Sequence, residues 1–459
     1  MRIANKTITA TRLVKDALDK AHEFKDYNIF TFLNEEGALK KAAEIDAKIA
    51  AGEKVGKLAG VPFAIKDNFL APFGETTASA HILEGFNSPI TATAVAKLLA
   101  EDAILIGRTN LDAFAHGSST ENSYFGPTLN SHDRERVAGG SSGGSAVAVA
   151  LDIVEFATGT DTGGSIRQPA SFNDVYGLKP TYGCISRYGV VAMASSTDCI
   201  GFFTKSLEDM DLLMSIASGK DSKDLTTLDD YYNNSEVAKA EKVGIIKDFD
   251  NDSVAPEIRA ALKSKCELLK SKGYEIIELE MPALKYALAA YYIIVPAEIT
   301  SNLSRYDGVR YGFRSDKSTG LNELYANTRD EGFMPENKRR IMIGNFVLSS
   351  GFYDAYFLKA AKVRTLIIKE YEEAFSKCDF LLTPVAPNPA FKLGEKANDP
   401  VAMYLEDMMS VSLNLAGVPG LAIPAGKTAS GLPIGLQLVG PRRSDKDLIE
   451  FAKVLKEDK

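Results

Sequence analysis

Hydrophobic positions in the first fifty residues recur at helical spacing. One face carries the apolar side chains Ile8, Leu13, Leu18 and Ala21. The following segment, GALKKAAEIDAKIAAG, repeats the pattern and ends at Gly52, a residue type that commonly follows the last turn of a helix. The pattern therefore predicts a helical N-terminal segment over residues 1–52.

Short apolar runs and one helical pattern follow. The run LAGVPFAIKDN (58–68) is typical of a buried strand and carries Lys66 near its end. TATAVAKLLAEDA predicts a helix, and ILIGRTN predicts a strand closed by Gly107 and Asn110. Residues 117–205 are dense in Gly, Ser and Thr but alternate with apolar segments, which indicates ordered turns around a site. We expect the core of the site within residues 58–205.

The most polar stretch of the chain, residues 219–242, predicts a surface crossover. After it, KVGIIKDF, PEIRAALKSKCELLKSKG and YEIIELEMP predict a strand, a helix and a strand. The helix repeats apolar side chains at Ile258, Leu262, Cys266 and Leu269. A β-α-β unit of this kind places its two strands parallel in one sheet.

The last third of the chain predicts long helices and two closing strands. Helical patterns cover 284–301 and 337–378, and the strands are GVPGLAIPAG and GLPIGLQLVG, followed by a final helix. Strands stand on both sides of the polar crossover, and the chain contains no internal repeat. We therefore predict one large α/β domain over residues 1–459, with a mixed central β-sheet covered by helices.

Composition and charge narrow the classes of function. The 459 residues are 45% hydrophobic and 25% charged, with a formal net charge of −8. This balance is ordinary for a globular protein, and the negative charge argues against direct binding of nucleic acid by this chain. The N-terminus lacks a signal-peptide pattern, and no apolar run approaches the roughly 18 residues of a membrane span. We expect a cytoplasmic protein.

The cysteines are too widely spaced to form any C-x-x-C pair. They are Cys184, Cys199, Cys266 and Cys378. We expect free thiols in a reducing compartment, and neither a disulfide framework nor a metal site is predicted.

The glycine-rich stretch VAGGSSGGSAVAVAL (137–151) admits several interpretations. A phosphate-binding loop requires G-x-x-x-x-G-K-[ST], but the GKT of this chain follows Gly420 with one residue too many. The G-x-S-x-G elbow of α/β-hydrolases fits GGSSGG but needs a histidine downstream, and all four histidines lie upstream. A structural turn, or a His-Asp-Ser site using His116 or His132, stays open at this point.

A further interpretation joins this loop to two other segments. Lys66 ends an apolar strand, Ser141 lies in GGSSGG, and Ser165 follows 24 residues later in GTDTGGSIRQP. Burial disfavours an ammonium group, so a buried lysine can supply a neutral amine as a base. A bridging serine can then relay a proton from a nucleophilic serine, and no histidine is needed.

The residues before Ser165 are candidate donors to an oxyanion. Thr162, Gly163 and Gly164 offer successive backbone N–H groups with little side-chain obstruction. Loss of one such donor typically costs about 3 kcal/mol of transition-state stabilisation.

These motifs resemble the amidase signature family, whose members hydrolyse amides with a Ser–cis-Ser–Lys triad. The matching segment runs from GGSSGGSAVAVA through DTGGSIRQPASF. The resemblance implies the amidase signature fold, with Lys66 as the base, Ser141 as the bridging cis-serine and Ser165 as the acyl-enzyme nucleophile. Thr162, Gly163 and Gly164 would hold the oxyanion, and the serine that follows Ser141 would support the loop.

Longer segments resemble one group within this family, the A subunits of glutamyl-tRNA(Gln) amidotransferases. They include RTNLDAFAHGSSTENSYFGPTLN, KRRIMIGNFVLSSGFYDAYFLKAAKVR and NLAGVPGLAIPAG. The likeness implies hydrolysis of glutamine, with Arg340 holding the carboxylate, Asp407 holding the α-amino group and Tyr291 in the same pocket. A guanidinium group suits this role because it pairs bidentately with a carboxylate.

The same resemblance implies partners. It implies a heterotrimer with B and C subunits, in which the B subunit uses ATP and Mg²⁺ to activate Glu-tRNA(Gln) and receives the ammonia. This chain would hold no cofactor. The alternatives are a stand-alone amidase that acts on another small amide and a catalytically silent scaffold protein. Arg340 and Asp407 favour the amidotransferase subunit over these alternatives, since a free amidase has no need of side chains that hold both charges of an amino acid.

The chain departs from this resemblance at a few positions near the site. The triad positions are unaffected, so the departures bear on the pocket, the tunnel lining and the contacts between subunits. The departing residues are His116 for methionine, Asn173 and Asp174 in a turn that usually contains Cys-Gly, Cys184 for arginine, Cys199 for glutamine and Phe202 for proline.

Overall fold

The structure is a computed structural model that describes residues 8–249 and 251–456. The described residues contain one eleven-stranded sheet, in the order β1-β3-β2-β4-β6-β5-β10-β11-β9-β7-β8. The strands are β1 (Phe30–Leu33), β2 (Pro62–Lys66), β3 (Ile104–Thr109), β4 (Phe156–Asp161), β5 (Tyr176–Lys179), β6 (Cys199–Thr204), β7 (Lys242–Ile246), β8 (Glu275–Leu279), β9 (Phe380–Pro384), β10 (Gly420–Lys427) and β11 (Pro433–Val439).

The sheet is mixed, as the sequence predicts. Strand β2 runs parallel to β3 and β4, and β7 runs parallel to β8 and β9. The remaining neighbours are antiparallel. The parallel pair β7–β8 confirms the predicted β-α-β unit.

Helices account for most of the remaining regular structure. They are α1 (Ala10–Glu23), α2 (Glu35–Ala50), α3 (Thr93–Ala100), α4 (Gly143–Ala150), α5 (Arg167–Phe172), α6 (Leu207–Ala217), α7 (Tyr231–Asn234), α8 (Pro256–Ser271), α9 (Ala287–Asn302), α10 (Leu321–Gly332), α11 (Pro335–Leu348), α12 (Lys359–Phe375), α13 (Pro400–Leu405), α14 (Val411–Ala416) and α15 (Asp445–Ala452). No helix within residues 8–249 and 251–456 is long and apolar enough to cross a membrane.

Helices cover both faces of the sheet. Successive residues of a strand point to opposite faces, so neighbouring residues of one strand pack against different layers of helices. In β2, Phe63 and Ile65 pack with side chains of α3, α6, α8 and α15. Ala64, between them, packs with side chains of α1, α2, α4 and α5. Helices α9, α11, α12 and α14 pack together around a third apolar core. The predicted α/β architecture with a helix-covered mixed sheet is therefore confirmed.

The N-terminal segment differs from the predicted run of helices. Helix α1 ends at Glu23, and strand β1 follows and pairs with β3 before α2 begins. The sequence FTFL of β1 is rich in aromatic and β-branched side chains, which favour a strand once a partner is present. Ile8 lies before α1 and is exposed, and residues 1–7 of the predicted segment lie outside the described residues.

Close approach of β1 also explains Gly107, which the sequence pattern places at the end of its strand. Gly107 lies within β3, where a Cβ atom would come to 2.4 Å from the Phe32 carbonyl oxygen. A side chain at this position would push β1 away from the sheet.

The predicted helix over 337–378 is interrupted. Helices α11 and α12 are separated by a turn at Gly351, whose φ of +88° favours glycine, and by a short π-helix, Asp354–Leu358. Helix α10, which precedes α11, is not predicted by the sequence pattern. In the predicted crossover 219–242, the Leu225 side chain is exposed, while Tyr232 of α7 is buried.

Candidate active site

Lys66 is the last residue of β2 and is fully buried. Its Nζ lies 2.7 Å from Ser141 Oγ, 2.8 Å from Ser142 Oγ and 2.9 Å from Thr160 Oγ1. Strands β2 and β4 are parallel neighbours, so their carboxyl ends meet at one edge of the sheet. This geometry brings the lysine of β2 to the loop that follows β4.

Burial lowers the pKa of Lys66 to about 7, although the nearby carboxylates Asp112, Asp161 and Asp198 act to raise it. Desolvation dominates because the ammonium group has lost its water and gained mainly neutral hydroxyl partners. A large part of the Lys66 population is therefore the neutral amine at physiological pH, which is the form a base requires.

This pKa predicts how amide hydrolysis depends on pH. The neutral fraction of Lys66 rises as pH increases, so kcat/KM should climb between about pH 6 and pH 8 with an apparent pKa near 7. The measurement is the initial rate of ammonia release across that range. A rate that is flat or falls across this window contradicts the assignment of Lys66 as the base.

Ser141 lies in a tightly packed loop before α4, and its peptide bond to Gly140 is cis. The Gly140 N–H donates to Gln168 Oε1 at 2.9 Å, and the Asp112 N–H donates to the Ser141 carbonyl at 3.3 Å. A Cβ atom on Gly140 would lie 2.2 Å from Asp112 Oδ2. Only glycine fits there, because the carboxyl group of Asp112 packs directly against the loop.

The two serines that contact Lys66 differ in their other contacts. Ser142 Oγ donates to the Thr160 carbonyl at 3.3 Å, which leaves its hydroxyl proton engaged away from the lysine. Among the described residues, the Ser141 hydroxyl bonds to Lys66 alone. Ser141 can therefore give its proton to the amine and accept another from Ser165, as the relay requires.

Ser165 lies in the turn between β4 and α5 and is the most exposed of the three triad candidates, at 8%. The Ser142 N–H donates to the Ser165 carbonyl at 3.2 Å, which joins the turn that carries Ser165 to the cis-serine loop. The structure thus brings together the three segments that carry Lys66, Ser141 and Ser165.

One predicted oxyanion donor is engaged elsewhere. The Gly164 N–H donates to Asp161 Oδ1 at 2.9 Å, and the Ile166 N–H donates to Asp161 Oδ2 at 3.1 Å. The Gly164 N–H therefore already forms a hydrogen bond within the turn in this structure. Within the described chain, the N–H groups of Thr162 and Gly163 have no such acceptor, and they are the remaining candidates.

Asp161 and Arg167 stabilise the turn that carries Ser165. Burial acts to raise the pKa of Asp161, but the charge and hydrogen bonds of Arg167 hold it well below its usual value. The guanidinium group donates to both Asp161 oxygens, at 3.0 and 3.1 Å, and to the Ser410 carbonyl and Asn414 Oδ1. Both ionic side chains are fully buried.

Thr162 and Gly163 are fixed by neighbours on the opposite side. Thr162 Oγ1 donates to Asp198 Oδ1 at 2.7 Å. Tyr291 of α9 lies directly over the turn, because a Cβ atom on Gly163 would come to 2.5 Å from its hydroxyl oxygen. The structure therefore places Tyr291, which the resemblance assigns to the glutamine pocket, against Gly163.

The two charged clamp candidates are linked through aromatic rings. The Arg340 guanidinium lies 5.3 Å from the ring centre of Tyr292 and 5.6 Å from that of Tyr404. Its Nε donates to Glu336 Oε1 at 2.8 Å, and the two terminal nitrogens have no hydrogen-bond partner among the described residues, which leaves them available for a ligand. The side chain is buried, so these contacts pre-organise the guanidinium group.

Asp407 is hydrogen-bonded to Tyr292, one of the two aromatic residues that contact Arg340. Its Oδ2 accepts from the Tyr292 hydroxyl at 2.8 Å, and its Oδ1 accepts from Ser118 Oγ at 2.7 Å. Burial raises the pKa of Asp407 to about 6, so the group is ionised at neutral pH. A carboxylate has about four acceptor sites, which leaves capacity for a ligand ammonium.

A cavity of about 290 Å³ lies beside these groups. One wall comes from the segment that packs against Gly140, and the other from the start of α11. Residues that line it include Asp112, His116, Ser118, Glu121, Arg340 and Tyr404. The cavity therefore lies between the start of α11 and residues 112–122, of which Asp112 packs against Gly140.

Sequence analysis missed the buried carboxyl groups of the site. Asp112, Asp161 and Asp198 surround Lys66, and Asp161 pairs with Arg167. A partial signal existed for the last pair, because Asp161 and Arg167 flank Ser165 in DTGGSIR. Aspartate is otherwise common in turns, so Asp112 and Asp198 carried no signal of their own.

The departing residues have structural contacts. The buried Asn173 side chain donates to the Ala138 and Pro169 carbonyls at 2.7 and 2.8 Å, and so links the cis-serine loop to α5. Cys184 and Cys199 are buried free thiols, as predicted. Phe202 is buried in the core, Asp174 lies 3.9 Å from the Lys427 ammonium group, and His116 lines the cavity.

Comparison with known proteins agrees with this geometry. The amidase family model matches residues 12–449. The chain is 48% identical over 458 residues to the A subunit of the glutamyl-tRNA(Gln) amidotransferase of Agathobacter rectalis, covering 98% of this chain and 91% of the relative. It is 49% identical over 436 residues to the corresponding protein of Persephonella marina, covering 94% and 89%.

Solved structures give the same result. The crystal structure of the A subunit of the glutamyl-tRNA(Gln) amidotransferase of Thermotoga maritima superposes with a TM-score of 0.80 at 37% identity, covering 98% of this chain and 92% of that one. A crystal structure described as an amidase superposes with a TM-score of 0.82 at 30% identity, covering 98% and 96%. This chain belongs to the amidase family and, within it, to the group of glutamyl-tRNA(Gln) amidotransferase A subunits.

Proposed function

We propose that this chain hydrolyses the side-chain amide of glutamine and supplies the ammonia for conversion of Glu-tRNA(Gln) to Gln-tRNA(Gln). One observation carries the proposal. A buried lysine with a lowered pKa contacts the cis-serine loop, and Tyr292 links a cation and an anion, Arg340 and Asp407, that suit the two charges of an amino acid.

The chemistry begins with the neutral amine of Lys66. Lys66 accepts the Ser141 proton while Ser141 accepts the Ser165 proton, and Ser165 Oγ forms a bond to the amide carbon. The N–H groups of Thr162 and Gly163 stabilise the oxyanion. The C–N bond then breaks as the nitrogen takes the proton back, and ammonia leaves. Water attacks the resulting ester and releases glutamate and free Ser165.

The clamp selects an amino acid among other amides. The terminal nitrogens of Arg340 pair with the α-carboxylate, and Asp407 accepts from the α-ammonium group. Desolvation of these groups by the ligand strengthens both pairings, because charges interact more strongly away from water. The aromatic rings of Tyr292 and Tyr404 keep the cation in place.

The proposal includes partners of this chain. A B subunit binds ATP and Mg²⁺, activates Glu-tRNA(Gln) and receives the ammonia, and a small C subunit completes a heterotrimer. The net charge of −8 supports the view that tRNA is held mainly by the partner.

The proposed function is tested by a glutaminase assay with and without co-expressed B and C subunits and Glu-tRNA(Gln). We expect ammonia release to increase with the partners present and to vanish in Ser165→Ala. Ammonia release by the isolated chain that partners and Glu-tRNA leave unchanged contradicts the amidotransferase role. It favours a stand-alone amidase instead.

Substrate selection gives a separate prediction. Asp407→Asn should raise the KM for glutamine by about 10-fold or more, since a hydrogen bond between charged groups is lost. The KM for glutaramate, which is glutamine without its α-amino group, should stay the same. Equal effects on both substrates would show that Asp407 does not contact the ammonium group.

A further inference from the structure

His116 is a buried residue of the cavity that the proposed chemistry does not use. It follows a short 3₁₀ turn, Ala113–Ala115, and its side chain has no exposed surface. His116 is among the residues that line the same cavity as Arg340. The family resemblance places a methionine at this position.

The hydrogen bonds of Asn337 on α11 determine the tautomer of His116. Asn337 Oδ1 accepts from the Met334 N–H at 3.2 Å, and Asn337 Nδ2 donates to the Ala113 carbonyl at 2.8 Å. The amide orientation is therefore fixed, with Nδ2 placed 2.8 Å from His116 Nδ1. Because Nδ2 can only donate, Nδ1 is the acceptor and the ring proton of the neutral imidazole lies on Nε2.

The imidazole is held neutral by its surroundings. Burial, and then the nearby charge of Arg340, lower the pKa of His116 well below its usual value. His116 Nε2 is a buried atom with no hydrogen-bond partner within the described chain. A buried donor without an acceptor costs free energy, so such a group usually marks a place that a ligand or an ordered water completes.

We propose that His116 Nε2–H donates a hydrogen bond to the α-carboxylate of glutamine, beside the guanidinium group of Arg340. This proposal rests on the proposed function, because it assigns one more contact to the same substrate. A carboxylate offers more acceptor sites than the two terminal nitrogens of Arg340 use. His116 thereby becomes a specificity-determining residue for an α-carboxylate, with no part in proton transfer.

The cavity lining carries both signs of charge, with the basic side chains Arg339, Arg340 and Lys396 and the acidic side chains Asp112, Glu121 and Glu336. At the proposed carboxylate position, Arg340 and His116 present only donors. The carboxylate of Glu336 is already paired with Arg340 and with the Tyr404 hydroxyl, at 2.8 Å in each case. Asp407, the anionic partner proposed for the ammonium group, is held on the other side by Ser118 and Tyr292. The cation and anion of an amino acid thus meet separate sets of groups.

The test is His116→Met, which replaces the imidazole with an unbranched apolar side chain of similar length and so removes the donor. Steady-state kinetics are measured for glutamine and for 4-aminobutyramide, which is glutamine without its α-carboxylate. We expect the KM for glutamine to rise about 10-fold with little change in kcat, while kcat/KM for 4-aminobutyramide stays the same. His132→Met, which lies outside the cavity lining, is the matched control and should change neither substrate.

A second measurement uses the unaltered protein. In protein labelled with ¹⁵N-histidine, binding of glutamate should shift the Nε2 resonance of His116, since glutamate carries the same α-carboxylate. An unchanged Nε2 resonance, an unchanged KM, or equal losses on both amides overturns the proposal while glutamine hydrolysis itself persists. Failure of the unaltered chain, with its partners, to hydrolyse glutamine overturns the proposed function together with this inference.

Discussion

Lys66→Met is expected to lower kcat for glutamine hydrolysis by about 10³-fold or more, because the variant has no group to accept the Ser141 proton. The Lys66 amine is the group that contacts both serines of the cis-serine loop. Methionine fills a similar volume without a charge, so the fold should persist. Ammonia release by purified variant and wild type, compared at saturating glutamine, measures the loss.

Lys66→Arg distinguishes a role of Lys66 as a base from a role that needs only its positive charge. Arginine keeps a cation of similar reach, but its guanidinium group stays protonated and cannot act as a base. We therefore expect Lys66→Arg to be as inactive as Lys66→Met. Retention of more than a tenth of wild-type kcat in the arginine variant would falsify the requirement for a neutral amine.

Asp161→Asn is expected to lower the free energy of unfolding by about 3–5 kcal/mol, the usual effect of leaving a buried charge without its partner. The Arg167 guanidinium has no exposed surface and loses its carboxylate in this variant. The Gly164 and Ile166 N–H groups also lose a charged acceptor. Unfolding in urea, followed by circular dichroism, measures the change.

A surface pair provides the matched control. The carboxylate of Asp152 lies 2.8 Å from the Lys205 ammonium group, and both side chains are about half exposed. Asp152→Asn should change the free energy of unfolding by less than about 1 kcal/mol, since exposed ion pairs contribute little. If both variants lose the same amount, the buried pair has no special role in holding the turn that carries Ser165.

Local patterns predicted most of the fold. The β7–α8–β8 unit could be predicted because Ile258, Leu262, Cys266 and Leu269 mark a helical face between two apolar runs. Strand β1 could not be, because FTFL is short and lies between two strong helical patterns. Its conformation depends on pairing with β3, whose residue Thr109 lies opposite Phe30 but far from it in the sequence.

The candidate site also has parts that the sequence predicts and parts that depend on the folded structure. Each catalytic segment is a local motif, so Lys66, Ser141 and Ser165 could be proposed from the sequence. The use of the Gly164 N–H by Asp161 could not, because a hydrogen bond of that kind depends on how the turn closes. The contact of Ser118 with Asp407 joins residues 289 positions apart, and no local pattern predicts such a pair.

The residue that becomes acylated is the most direct test of the mechanism. The protein is mixed with glutamine, quenched in acid within the first turnover, digested and analysed by mass spectrometry. We predict that one glutamyl group is attached through an ester to Ser165, and that the adduct is absent in Lys66→Met. An adduct on Ser141 or Ser142, or full turnover of Ser165→Ala, would contradict the mechanism.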